Sequence, residues 1–138
     1  NQYMKISSAK SEDLDSIRIY DIHISAANLS KCILEKRVYV MEDENGLIGC
    51  LRYGYLYDSY PFLNLIYLID SFRRKGYGTL LLNRWESDMK NMGYNIVYTS
   101  TQADEDAQHF YRKRGYEDIG GFRLPGQEPL ELILCKRL

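Results

Sequence analysis

The chain has 138 residues, a length that favours one domain and suffices for a real hydrophobic core. Apolar residues make up 45% and charged residues 27%, and 18 basic against 19 acidic side chains leave a net charge of −1; this balance argues against a general nucleic-acid surface. No apolar run approaches the roughly 20 residues of a membrane span, and no basic-then-apolar leader is visible near the start, so a cytoplasmic protein is expected.

Residues 3–8 read as a first strand. Ser11 is a candidate N-cap, with Glu12 and Asp13 favouring a helix start, and Leu14, Ile17 and the 22–24 region supply that helix with an apolar side. A second short helix is expected over Leu29 to Glu35. Val38 to Met41 and Leu47 to Tyr57 then form a hairpin around Asn45-Gly46, a strong turn dipeptide. After a turn at Asp58 to Pro61, residues 63–69 are almost all apolar, as in a strand buried on both faces. Leu81, Trp85, Met89 and Met92 recur at helical spacing over Thr79 to Met92, and Gly93 ends that helix. A strand at Ile96 to Thr99, a helix at Asp104 to Lys113 closed by Gly115, and strands at 116–120 and 130–136 complete the order β-α-α-β-β-β-α-β-α-β-β. A single mixed α/β domain over residues 1–138 follows. Cys32, Cys50 and Cys135 are widely spaced among apolar neighbours, which predicts buried reduced thiols and neither a disulfide framework nor a structural metal.

Between the apolar strand and the long helix stands Arg73-Arg74-Lys75-Gly76-Tyr77-Gly78. Glycines at 76 and 78 let the backbone turn tightly and leave its N–H groups uncovered. A helix starting there adds amides without internal partners and a partial positive charge. With three preceding cations this is an anion cradle suited to a phosphate or pyrophosphate. A Walker loop would need G-x-x-x-x-G-K-[ST], which does not occur, and a dinucleotide fingerprint would need a third glycine where Leu81 stands.

The element order together with two motifs resembles the GNAT superfamily of N-acetyltransferases. The family signature Gln/Arg-x-x-Gly-x-Gly/Ala is matched by Arg73, Gly76 and Gly78, and the helix-to-strand segment of the family is matched by His109 to Tyr116. The resemblance implies a central mixed, mostly antiparallel sheet with a splayed central strand pair and helices on both faces. It implies acetyl-CoA as acyl donor, no metal, and an amine acceptor of a small molecule or peptide. Backbone amides from Arg74 to Thr79, Tyr77 among them, would hold the pyrophosphate, with the side chains of Arg73, Arg74 and Lys75 reaching phosphates or standing as a solvated basic face. Leu68 and Ile69 match the positions whose main chain pairs with the pantetheine arm, Ile69 or a neighbour being aimed at the thioester carbonyl.

By the same resemblance Tyr111 is the general acid for the departing thiolate. Asp104 stands where the family often carries Asn, and reads either as a pantetheine contact or as a helix-start acid. No acid stands at the family's usual base position in 62–67; Asn64 or Tyr67 is left to hold a water, or to pack. Tyr20, His23, Arg52, Tyr53, Tyr55, Tyr57 and Asp58 are candidates for an acceptor pocket. An acyltransferase using direct attack in a ternary complex is the leading reading. A non-catalytic acyl-CoA-binding or sensing domain is the alternative, and the oligomeric state stays open, a homodimer included.

Overall fold

The computed structural model describes residues 4–138. In chain order it contains β1 (Lys5–Ser8), α1 (Leu14–Arg18), α2 (Ala26–Leu34), β2 (Val38–Asp43), β3 (Gly46–Leu56), β4 (Tyr60–Leu68), α3 (Tyr77–Asn91), β5 (Ile96–Gln102), α4 (Ala107–Lys113), β6 (Glu117–Phe122) and β7 (Glu131–Arg137). The seven strands form one sheet in the order β1-β2-β3-β4-β5-β7-β6. Every neighbouring pair is antiparallel except β4 and β5, which run parallel. This is the mixed, mostly antiparallel sheet that the family resemblance implies.

Strand alternation separates two apolar layers. Val38, Val40 and Cys50 face one side, where Ile17, Leu29 and Ile33 of α1 and α2 cover them. Tyr39, Met41, Leu51 and Tyr53 face the other side and meet Leu81, Trp85 and Met89 of α3. Trp85 and Met89 are wholly enclosed, and each such side chain stabilises the fold by about 1.5–3 kcal/mol relative to exposure. Polar ties set the pitch of α3: Glu86 accepts from the Tyr116 hydroxyl at 2.8 Å and from Lys136 at 2.8 Å, while Tyr39 donates to Asp88 at 2.7 Å.

Two irregularities position the site. The parallel ladder between β4 and β5 has only the pairs Phe62–Tyr98 and Leu63–Thr99, after which the strands part. On its other side β4 bulges: Leu63 faces Tyr53 and Leu65 faces Arg52, so Asn64 is the extra residue. One added residue changes the parity of everything beyond it, and Ile66 and Leu68 consequently join the α3 face with Leu63.

Several boundaries differ from expectation for local reasons. Residue 3 lies outside the described residues, and β1 begins at Lys5. Ser11 opens a 3-10 turn and is not the cap; the Asp13 carboxylate accepts from the Lys10 amide at 2.8 Å instead. The following helix ends at Arg18, leaving Ile22 exposed. α2 starts earlier than expected because Ser25 caps it, its hydroxyl oxygen accepting from the Asn28 amide at 3.1 Å. Cys32 and Cys50 are buried free thiols, whereas Cys135 is only half-buried. No helix among the described residues is long and apolar enough to cross a membrane.

Candidate active site

The anion cradle forms by two left-handed residues close together. Arg74 has φ +61° and Gly76 φ +89°, which turns the chain from the 3-10 turn at Asp70–Phe72 into α3. Gly76 is the N-cap and offers no capping side chain, and Leu80 N–H donates to its carbonyl at 3.1 Å. Among the described residues the N-cap therefore gives no side-chain cap to this 15-residue helix, whose start is the positive end of the helix dipole. Gly78 plays a different part from the one expected. It lies inside the helix, and a methyl group placed on it would sit 3.5 Å from Leu68 Cδ1 and 3.5 Å from the Phe110 ring. Its lack of a side chain keeps open the gap between β4 and α4.

That gap is a cleft of about 550 Å³. Ile66 and Leu68 form one wall, Gly76, Gly78 and Thr79 its end, and Ala107 and Phe110 the opposite wall. The residues fit an elongated ligand with an anionic end: apolar walls, a bare helix start, and an unpaired strand edge. The backbone of β4 sets which residues present that edge. Ile69 N–H donates to the Ile48 carbonyl of β3 at 2.9 Å, so Ile69 cannot be the donor to a thioester carbonyl. By alternation the amide and carbonyl groups of Ile66 and Leu68 point away from β3, toward the gap. Leu68 thus stays on the candidate edge, and Ile66 joins it.

The cations also sort themselves differently. Arg73 lines the cleft but is already engaged: its Nε donates to the Leu68 carbonyl at 2.9 Å, Nη1 meets Asp70 at 2.8 Å, and its guanidinium lies 5.1 Å from the Tyr67 ring centre. Arg74 lines the cleft. Lys75 is exposed and is not among the lining residues. The Tyr77 ring packs against Phe72 at 5.7 Å and anchors the loop. A cation not singled out by sequence, Arg114 at the end of α4, lines the cleft beside Thr79. Its place was hidden because nothing in the spacing of Thr79 and Arg114 shows that the end of α4 meets the start of α3.

Tyr111 sits at the fork of the sheet. Its hydroxyl lies near the Thr99 side chain, and Thr99 Oγ1 donates to the Leu63 carbonyl at 3.1 Å, the last pair before β4 and β5 separate. The ring is only 4% exposed and is held between Phe110 and Tyr116, each 5.4 Å away between ring centres. Burial, with a smaller contribution from Glu105, pushes its phenol up to about 12 against the relief given by Thr99.

Asp104 lies ahead of the helix it was expected to open. α4 begins at Ala107, because Glu105 N–H donates to the Gln102 carbonyl at 3.1 Å and His109 N–H to Asp106 at 3.0 Å, forming a turn first. Asp104 is neither a cap of that helix nor a cleft residue, and Glu105 and Asp106 line the cleft instead. The acceptor candidates also divide. Tyr53 and Tyr55 lie on the α3 face, and Tyr57 and Asp58 form the left-handed β3–β4 turn with φ +53° and +57°. On the opposite face, Tyr20 stacks on Tyr67 at 4.8 Å, and Arg52 holds the wholly buried Asp21 at 2.7 Å. His23 is exposed.

A family profile described as acetyltransferase (GNAT) domain matches residues 35–118. No curated protein matches the chain by sequence. Among solved structures, a GNAT-family acetyltransferase from Bacillus cereus is 25% identical, with TM-score 0.79 over 98% of this chain and 97% of that one. The PaiA N-acetyltransferase of Thermoplasma acidophilum, solved with coenzyme A, is 18% identical with TM-score 0.81 over 99% of each chain. The ribosomal-protein-S18-alanine N-acetyltransferase of Escherichia coli is 16% identical with TM-score 0.82, covering 98% of this chain and 94% of that one. The last two likenesses establish the fold, and the profile, spanning more than half of the sequence, establishes the relationship: the chain belongs to the GNAT family of acetyltransferases.

Proposed function

We propose that the cleft binds acetyl-CoA and that the acetyl group passes by direct attack to a primary amine of a small molecule or peptide. The amine nitrogen, neutral on arrival, bonds to the thioester carbonyl carbon; the C–S bond breaks, the sulfur leaves with the electron pair, and the amine proton passes to solvent. The observation that carries this reading is the meeting of the start of α3 with the parted edge of β4 in one cleft.

Each group has a physical task. The amides of Gly78 and Thr79 and the dipole of α3 hold the pyrophosphate. The open edge at Ile66 and Leu68 pairs with the pantetheine arm as an added strand. The Leu68 carbonyl is engaged by Arg73, and its amide is left as the donor to the oxygen on which negative charge develops. Tyr111 donates to the sulfur. With the phenol held at about 12, Tyr111 keeps its proton at neutral pH and donates it in a hydrogen bond to the sulfur while the C–S bond breaks.

The test pairs calorimetry of acetyl-CoA with a screen of amines for coenzyme A release. Binding together with turnover on at least one amine is expected. Binding without turnover on any class of amine would favour a sensing role, and absence of binding would remove the reading of the cleft.

A further inference from the structure

Of the cations of the signature loop, Arg73 is tied to Leu68 and Asp70, Lys75 lies outside the cleft, and Arg74 lines it. Arg114 comes from the other direction. Its Nε donates to Thr79 Oγ1 at 2.7 Å, its Nη1 donates to the Phe110 carbonyl at 2.9 Å, and its guanidinium lies flat on the Phe110 ring at 3.9 Å from the ring centre. Two hydrogen bonds and a stacked face fix this side chain before any ligand arrives, so little rotamer entropy is lost on binding.

The bond to Thr79 also fixes that hydroxyl. Because Thr79 Oγ1 accepts from Arg114, its own proton must point elsewhere, and Thr79 lies in the first turn of α3 on the cleft wall. The arrangement presents a hydroxyl donor, a helix amide and a guanidinium to one place.

We infer that Arg114 is a residue that neutralises the pyrophosphate of the acyl donor, through its remaining N–H groups and by orienting Thr79 as a donor. This rests on the reading of the cleft as an acyl-CoA site. Of the two anionic parts of coenzyme A, the pyrophosphate is the one assigned, because Arg114 is anchored on the first turn of the helix whose amides cradle it.

The test measures affinity by calorimetry for coenzyme A, 3′-dephospho-coenzyme A and pantetheine, using Arg114→Met and Arg114→Lys proteins whose melting is checked first. A charge-assisted hydrogen bond lost from the site weakens binding by roughly 10- to 100-fold. Arg114→Met is expected to weaken coenzyme A and the dephospho form by the same factor and to leave pantetheine unchanged. Arg114→Lys, which keeps charge but not the fork, should recover only part of the loss. If pantetheine weakens equally, Arg114 merely supports the walls and the inference fails. If the penalty disappears with the dephospho form, Arg114 reads the 3′-phosphate and the assignment fails. Unchanged affinity for all three overturns it as well. Should the methionine protein not fold, the lysine protein must show the same pattern at smaller size. A wild-type protein that binds coenzyme A no better than pantetheine would instead overturn the reading of the cleft itself.

Discussion

The two signature glycines should separate stability from binding, because the backbone uses them differently. Gly76 has φ +89°, and no atom lies within 4 Å of the place a methyl group would take, so Gly76→Ala meets open space but must hold a left-handed conformation. That costs roughly 1–2 kcal/mol. Gly78 is helical, and a methyl there would make ordinary contacts at 3.5 Å with Leu68 and Phe110. Alanine is better than glycine in a helix by about 0.5–1 kcal/mol, so Gly78→Ala should melt as high as wild type or about 2–4 °C higher. A methyl is tolerated there, as the alanine allowed by the family signature implies, whereas the branched side chain of Gly78→Val projects into the cleft between β4 and α4. Loss of one or two charge-assisted hydrogen bonds by a phosphate kept at a distance weakens binding by roughly 10- to 100-fold. Melting by circular dichroism and coenzyme A calorimetry on the same samples give both readouts. A folded Gly78→Val protein with wild-type affinity would refute the placement of the ligand in this cleft. A Gly76→Ala protein as stable as wild type would refute the claimed backbone strain.

Three further outcomes are expected. Tyr111→Phe should lower kcat by about 10²–10⁴, the range for a positioned proton or hydrogen-bond donor, with coenzyme A affinity unchanged; wild-type kcat under rate-limiting chemistry would make Tyr111 structural. Folding stability should fall above pH 10, because unfolded phenols ionise near pH 10 while buried Tyr111 is held up to about 12 and keeps its proton, so the native state binds more protons and loses ground as pH rises. Urea midpoints at pH 9 and pH 11 check this, and equal values would refute it. Asp21→Ala should cost about 3–5 kcal/mol in urea unfolding by leaving Arg52 without its buried partner; a cost below about 1 kcal/mol would show that solvent reaches the pair.

The parts legible in the sequence were those fixed by local chemistry. Asn45-Gly46 marks the hairpin, with Gly46 at φ +118°, and the Arg73, Gly76 and Gly78 spacing marks the cradle. Trp85 and Met89 at helical spacing mark the core face of α3. What sequence hid depended on parity or on contacts between distant elements. Ile69 and Leu68 are adjacent, and only the bulge at Asn64 decides which of them faces the gap. Tyr53 and Arg52 look like one acceptor cluster in the sequence, yet neighbouring residues of a strand leave its two faces. Asp104 missed its expected role because the turn before α4 shifts the helix start by three residues, from 104 to 107, and no residue type announces that shift.

Arg73 shows why a motif position does not state its own task. An arginine preceding an anion cradle suggests a phosphate contact by charge alone. Here its Nε engages the Leu68 carbonyl at 2.9 Å while Nη1 engages Asp70 at 2.8 Å, and its face covers Tyr67, which in turn stacks on Tyr20 at 4.8 Å. The side chain thereby joins the end of β4, the loop before α3 and the segment after α1. It also occupies the carbonyl of the edge residue whose amide faces the gap. A lysine would keep the charge, but its single ammonium lacks the planar fork that makes both bonds while lying flat on a ring. The demand at this position is for geometry as well as for charge, and the charge at the cradle can then come from Arg114.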